Sequence, residues 1–167
     1  AERAPGERLE TELAGAAGGT GEHGAVGGAG RVTSAAHLEQ YLAMPRVRLI
    51  IDGYNVSKAW WASSPLEAQR IRLLQSIAPL VARTGAETTV VFDAAGTTTR
   101  PVAAAPRGVK VVFSPVGVIA DDVIRDLVAA EPVGRVVLVV TDDQEIIGDV
   151  RRDGARAVPV AALRGLL

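Results

Sequence analysis

Aspartates recur at one kind of place in this sequence. Asp52 follows the run VRLII (47–51), Asp93 follows TTVVF (88–92), Asp121 opens the helical stretch after VKVVF (109–113), and Asp142 and Asp143 follow or close RVVLVVT (135–141). If these Val- and Ile-rich runs are parallel strands, their C-terminal ends share one edge of a sheet, the edge at which α/β folds bind ligands. Carboxylates from four distant segments then meet there. Such a group repels itself and holds its protons more tightly unless a cation compensates, and hard oxygen donors in a chain without cysteine suit Mg2+ or Mn2+. Singly, each aspartate has an ordinary structural use as a cap or as a complement to a helix dipole. The argument for a metal lies in four of them converging.

Helix geometry ranks the neighbours. At about 100° per residue from Ala120, the apolar Ile124, Leu127 and Val128 stay within about 80°, Asp121 falls at about 100° and Asp122 at about 200°. Asp121 therefore borders the buried face and is the stronger ligand candidate, while Asp122 turns toward water with Asp126. Asp142 stands three residues before Glu145, the spacing of a capping box, so Asp142 is assigned mainly to structure and Asp143 is preferred as the ligand. In the segment 52–56, DGYNV, Gly53 permits close backbone approach. The Asn55 amide can orient a phosphate, a water or a carboxylate without adding charge, or can stabilise a turn.

These residues need a frame. From Val47 onward short apolar runs alternate with helical periodicity, the pattern of βαβ units around a mostly parallel sheet buried on both faces. The four runs above are expected as central strands, with a shorter fifth at 156–158. A crossover helix is expected from Leu66 to Arg83, where Leu73, Leu74, Ile77, Leu80 and Val81 fall at helical spacing and Gly85 follows. Further helices are expected over 120–128, 143–152 and 160–167. Upstream, Ser34 can cap a short amphipathic helix through Leu38, Tyr41 and Leu42 that ends before Pro45. Residues 15–30 are a Gly/Ala stretch without strand alternation or a helical stripe. The expected division is a flexible tail over 1–33, a lead-in helix over 34–46 and an α/β domain over 47–167.

Composition narrows the classes. With 167 residues, 48% of them hydrophobic, the chain has room for one domain with a real core. The absence of cysteine excludes a disulfide framework and a thiolate metal site, and a reducing cytoplasm is the expected home. No apolar run approaches the ~20 residues of a membrane span, so no membrane partner is expected. A formal net charge of −1 excludes a general polycation, and any nucleic-acid surface must be local. The charged opening AERAPGERLE is not signal-like and lacks an initiator Met, which suggests that the numbering starts inside a longer chain.

The segments IDGYNV (51–56), VVFDA (90–94), VVFSPVGVIADDVI (111–124), VVTDD (139–143) and GARAVPVAAL (154–163), in this order, resemble the NYN domains, PIN-like nucleases, and within them the YacP-like bacterial branch. The resemblance covers about residues 47–167. It implies a three-layer α/β/α PIN-like domain acting on RNA as an endoribonuclease that leaves a 5′-phosphate and a 3′-hydroxyl. It also implies a Mg2+ or Mn2+ site built from Asp52, Asp93, Asp121 and Asp143 beside Asn55. One departure is that Asp142 stands where Ser is common, so Asp142 and Asp143 remain alternatives as the fourth ligand; Ala94 stands where Gly is common.

For an RNA substrate, Lys58 after the DGYN segment and Arg100, Arg107 and Lys110 in or beside the loop after Asp93 are candidate phosphate contacts, or else solvated surface. Tyr54, Trp60 and Trp61 are candidate base-stacking rings, with core packing the ordinary alternative. Cleavage through the 2′-hydroxyl needs a general acid and base, and the two histidines, His23 and His37, both lie outside the expected domain. A second reading is an RNA- or ribosome-binding module of the same fold with little cleavage. A third, another α/β enzyme such as a phosphatase or receiver domain, lacks its motifs: the residue two beyond Asp52 is Tyr54, and no acidic pair follows the first strand.

Overall fold

The computed structural model describes residues 31–94 and 103–167. Five strands, β1 (Arg48–Asp52), β2 (Glu87–Phe92), β3 (Val109–Phe113), β4 (Val137–Val140) and β5 (Arg156–Val158), form one sheet in the order β3-β2-β1-β4-β5. Every pairing is parallel. All C-terminal strand ends therefore lie on one edge, and β1, the central strand, is buried along its whole length.

The helices are α1 (Ala35–Leu42), α2 (Gly53–Trp61), α3 (Leu66–Thr84), α4 (Ala120–Ala129), α5 (Gln144–Arg152) and α6 (Val160–Arg164). Period-two alternation divides the strands between two cores. Leu49, Ile51, Val90, Phe92, Leu138 and Val140 face α1, α2, α3 and α6. Ile50, Val91, Val137 and Val139 face Ile124 and Val128 of α4 and Ile146 and Val150 of α5. The result is the three-layer α/β/α arrangement expected from the alternating pattern.

Two local expectations are corrected. The tail was drawn to residue 33, but Val32 is buried and its N–H donates to the Ala157 carbonyl at 2.9 Å, so the chain from Arg31 lies along the outer edge of β5. No helix was expected at the DGYN segment, where turn stabilisation was one role considered for Asn55, and Gly53–Trp61 form α2. The Gly and Asn of DGYN argue against a helix by propensity, but packing decides: Tyr54 and Val56 are buried against the sheet, and the Ser57 hydroxyl donates to Gln69 Oε1 of α3 at 2.8 Å.

Gly53 lets α2 start this close to the sheet. A Cβ there would lie 2.5 Å from the Phe92 ring and 2.9 Å from the Val91 carbonyl oxygen. The Gly53→Ala variant is expected to lose about 1–3 kcal/mol by overpacking. Gly148→Ala, in the middle of α5, would meet nothing closer than 4.0 Å and should gain about 0.5–1 kcal/mol from helix propensity. Urea unfolding of the two variants beside wild type checks the contrast; equal effects would contradict it.

Candidate active site

Asp52 closes β1 and is only 9% exposed. Its Oδ2 accepts from the fully buried Thr141 hydroxyl at 2.8 Å, and Thr141 Oγ1 in turn accepts from the Asp143 N–H at 3.1 Å. The ends of β1 and β4 are thus locked through one hydroxyl. Sequence reasoning passed over Thr141 as a strand residue; its signal was a lone hydroxyl at the end of an otherwise apolar run, immediately before two acids.

The other acids arrive as the sheet direction requires. Asp93 follows β2 and is exposed, with Oδ2 3.5 Å from the Ala120 N–H at the start of α4. The backbone around it is pinned by Ser114, buried after β3, whose Oγ accepts from the Ala94 N–H at 2.8 Å and whose N–H donates to the Phe92 carbonyl. Asp121 is half-buried in the first turn of α4, while Asp122 is exposed and accepts from Arg125 at 3.0 Å. These environments follow the helical-face argument.

The four carboxylates feel one another. Burial pushes the Asp52 carboxyl up from 3.8 to about 6; the Thr141 hydroxyl pulls the other way, and the charges of Asp121, Asp143 and Asp93 add to the rise. The Asp121 carboxyl is also raised, first by burial and then by Asp143, with Arg125 opposing. Asp52 and Asp121 are therefore both disfavoured in their charged forms. Among the described residues, no three acidic or imidazole side chains come close enough to enclose a metal ion. The donor chemistry still fits Mg2+ or Mn2+, because Mg2+ is commonly held through one or two carboxylates, waters and substrate phosphates rather than by a full protein cage.

Asp142 and Asp143 exchange the structural roles expected of them. Asp143 is the N-cap of α5, its Oδ1 accepting from the Glu145 N–H at 2.9 Å and the Ile146 N–H at 3.3 Å. Asp142 reaches across to the start of α6, where its Oδ1 accepts from the Val160 N–H at 3.0 Å. The capping-box spacing was misread by one residue because the chain leaves β4 extended for three residues before α5 begins. Asn55 Oδ1 accepts from the Asp142 N–H at 2.9 Å. Since a backbone N–H must meet the amide oxygen, this fixes the amide orientation and leaves the Asn55 NH2 as a donor.

The expected RNA contacts scatter. Tyr54 is 9% exposed, its ring packed 5.0 Å from Phe92 and its hydroxyl accepting from Arg70 at 2.8 Å, so burial removes it as a stacking platform. Trp60 and Trp61 are half-buried, edge to face at 5.5 Å. Arg107 borders a cleft with Gly85, Ala86 and Glu87 at the N-terminal edge of the sheet, and Lys110, early in β3, is close enough to Glu87 to help hold its carboxyl down. Both are at the opposite edge from the acids, because β3 carries the chain across the sheet before the next strand end is reached. Arg100 lies outside the described residues. Lys58 is exposed on α2, its ammonium 5.5 Å from the centre of the Tyr54 ring.

Two solved structures share this architecture. Rae1 (YacP) from Bacillus subtilis aligns with TM-score 0.56 and 27% identity over 71% of this chain and 72% of that one. A tryptophan-to-leucine variant of the same protein aligns with TM-score 0.60 and 26% identity over 72% of each. No curated protein matches the chain. No helix among the described residues is long and apolar enough to cross a membrane. The family model described as the YacP-like NYN domain matches residues 49–167, all of the sheet but Arg48 and every acid at its C-terminal edge, and the chain belongs to that family, whose fold is of the nuclease type associated with RNA.

Proposed function

We propose that this protein is a metal-dependent endoribonuclease whose Mg2+ or Mn2+ site is formed by Asp52, Asp93, Asp121 and Asp143. The observation that carries the reading is the buried carboxyl of Asp52, surrounded by the charges of three other aspartates at the ligand-binding edge of a parallel sheet. A bound divalent ion would balance that charge and supply an activated water and a Lewis acid for phosphodiester hydrolysis. Asp52 is held in place by Thr141, so its remaining oxygen is aimed by the sheet and not by a flexible loop. The Asn55 NH2, fixed through Asp142, is available to a phosphate oxygen or the attacking water. Asp142, tied to Val160, contributes orientation and not charge transfer.

A second reading, an RNA- or ribosome-binding module that cleaves little, is favoured by one feature: Asp143 Oδ1 already serves two amide donors. Cleavage of a labelled single-stranded RNA, with and without Mg2+ or Mn2+, separates the two. On the nuclease reading, wild type releases 5′-phosphate products only with metal. Asp52→Asn and Asp121→Ala should lose on the order of a thousandfold in rate, whereas Asp122→Ala stays near wild type. Equal losses for Asp121→Ala and Asp122→Ala would count against the assignment.

Charge coupling gives a test that needs no substrate. The Asp52 carboxyl is raised in the folded state, so the native protein is favoured most below the unfolded value near pH 4 and loses that advantage as pH rises through about 6. Asn at this position still accepts from Thr141 and carries no charge. In metal-free buffer, Asp52→Asn should be more stable than wild type by on the order of 2–3 kcal/mol at pH 8, with the difference vanishing by pH 4. Saturating Mn2+ should raise wild-type stability, by about 2.7 kcal/mol at a hundredfold excess over Kd, and do much less for the variant. A wild type indifferent to Mn2+, together with a variant destabilised at pH 8, would sink the metal-site reading.

A further inference from the structure

Arg107 and Lys110 are at the opposite edge from the acids, yet an RNA strand needs positive charge near the acids. Helix α3 returns the chain to the N-terminal edge of the sheet, where parallel β2 begins, and its early turns pack on α2, the helix that leaves Asp52. Arg70 is in the second of those turns. Its Nη1 donates to the Tyr54 hydroxyl at 2.8 Å, and its guanidinium carbon is 5.8 Å from the centre of the Phe113 ring, at the end of β3. Phe113 stacks on Phe92 at 5.6 Å, and Phe92 directly precedes Asp93. Gln69, the preceding residue, fixes this turn by accepting from Ser57 and donating to the Ser64 carbonyl at 2.9 Å.

Arg48, Arg83, Arg125, Arg135 and Arg152 each pair with a carboxylate, whereas Arg70 forms no ion pair among the described residues and is anchored instead by a phenolic hydroxyl and a ring face. It is half-buried, and its Nε is shielded from solvent without a partner. A guanidinium held by one neutral hydroxyl and one ring face keeps its full charge and most of its N–H fork for a planar oxyanion. Lys58, one turn on from Tyr54 in α2, supplies a second, exposed cation 5.5 Å from the centre of the Tyr54 ring.

We propose that Arg70 and Lys58, organised around Tyr54, form a phosphate-binding subsite that holds the RNA backbone on the β2–β3 side of the acids. This inference rests on the ribonuclease reading. In it Tyr54 is a positioning residue, which explains why a buried tyrosine with an anchored hydroxyl sits between the motif Asp and the motif Asn.

Counterion release provides the measurement. Binding of a short fluorescent single-stranded RNA to the full chain is followed by anisotropy in EDTA, so that cleavage does not intervene, across a series of KCl concentrations. Each lost phosphate contact lowers the slope of log K against log salt by about 0.7 for a single strand. Arg70→Gln and Lys58→Gln are each expected to lower the slope by about that amount and to weaken binding several-fold at low salt. Arg83→Gln, at the far end of α3, should leave it unchanged. Tyr54→Phe keeps both charges and should retain the slope with weaker affinity. Lys58→Gln alters an exposed side chain and reads out the subsite even if Arg70→Gln fails to fold. Salt-dependent binding by wild type with an unaltered slope in the folded Arg70→Gln or Lys58→Gln variants would overturn the subsite alone. Absence of salt-dependent RNA binding by wild type would overturn the RNA reading and the subsite together.

Discussion

The carboxylate of Asp52 at the end of the central strand is costly to place, and its surroundings at the ends of β1 and β4 are arranged around it. Burial disfavours its charge, and the parallel direction of the sheet brings three more carboxylates toward it instead of cations. What keeps it in position is a single buried hydroxyl, Thr141, which donates to Asp52 and accepts from the Asp143 N–H. Through that atom the end of β1, the end of β4 and the start of α5 form one rigid unit. The loop after β2 is fixed separately, by Ser114.

The opposite edge of the sheet shows how the same chain treats buried charge that needs no external partner. Arg48, 5% exposed at the start of β1, donates to Glu131 at 2.9 Å and to the Glu87 carbonyl at 3.1 Å. Arg135 bonds the other Glu131 oxygen at 2.9 Å and also pairs with Glu87. Each charge there meets its opposite, as buried ions require. At the C-terminal edge Asp52 is instead raised by burial and by three neighbouring carboxylates, and the Arg125 charge that opposes the rise at Asp121 is itself engaged by Asp122 on the solvent side. Buried charge is thus matched by its opposite at one edge, while at the other Asp52 is crowded by charges of its own sign.

The fold was legible because its signals are local and repeated: Val-rich runs of strand length separated by amphipathic helices leave few arrangements other than a layered parallel sheet. The acids were legible for the same reason, since a residue just after a parallel strand has its edge of the sheet decided by topology. What was not legible depends on contacts distant in sequence. The helix at DGYN forms because Tyr54 and Val56 find the sheet and Ser57 finds Gln69. The division of labour between Asp142 and Asp143 depends on Val160, eighteen residues further on. Thr141 looked like the last residue of a strand until Asp52 was seen beneath it.

The basic residues show the limit most clearly. Arg107 and Lys110 follow Asp93 by fewer than twenty residues, and proximity in sequence suggested proximity in space. A parallel strand reverses that inference, because the residues that enter β3 lie a full strand length from those that leave β2. Arg70 is further from Asp93 in sequence, but its contacts with Tyr54, two residues after Asp52, and with Phe113 at the end of β3 place it toward the acid edge. In a parallel α/β domain the positions near a site are the last residues of strands and the first turns of the helices that follow them. Arg70 meets that criterion together with Asp52, Asp93, Asp121 and Asp143. On the proposed reading, an RNA phosphate approaching this edge would meet carboxylates from three strand ends, and a guanidinium fixed to one side of them would supply attraction without neutralising the acids themselves.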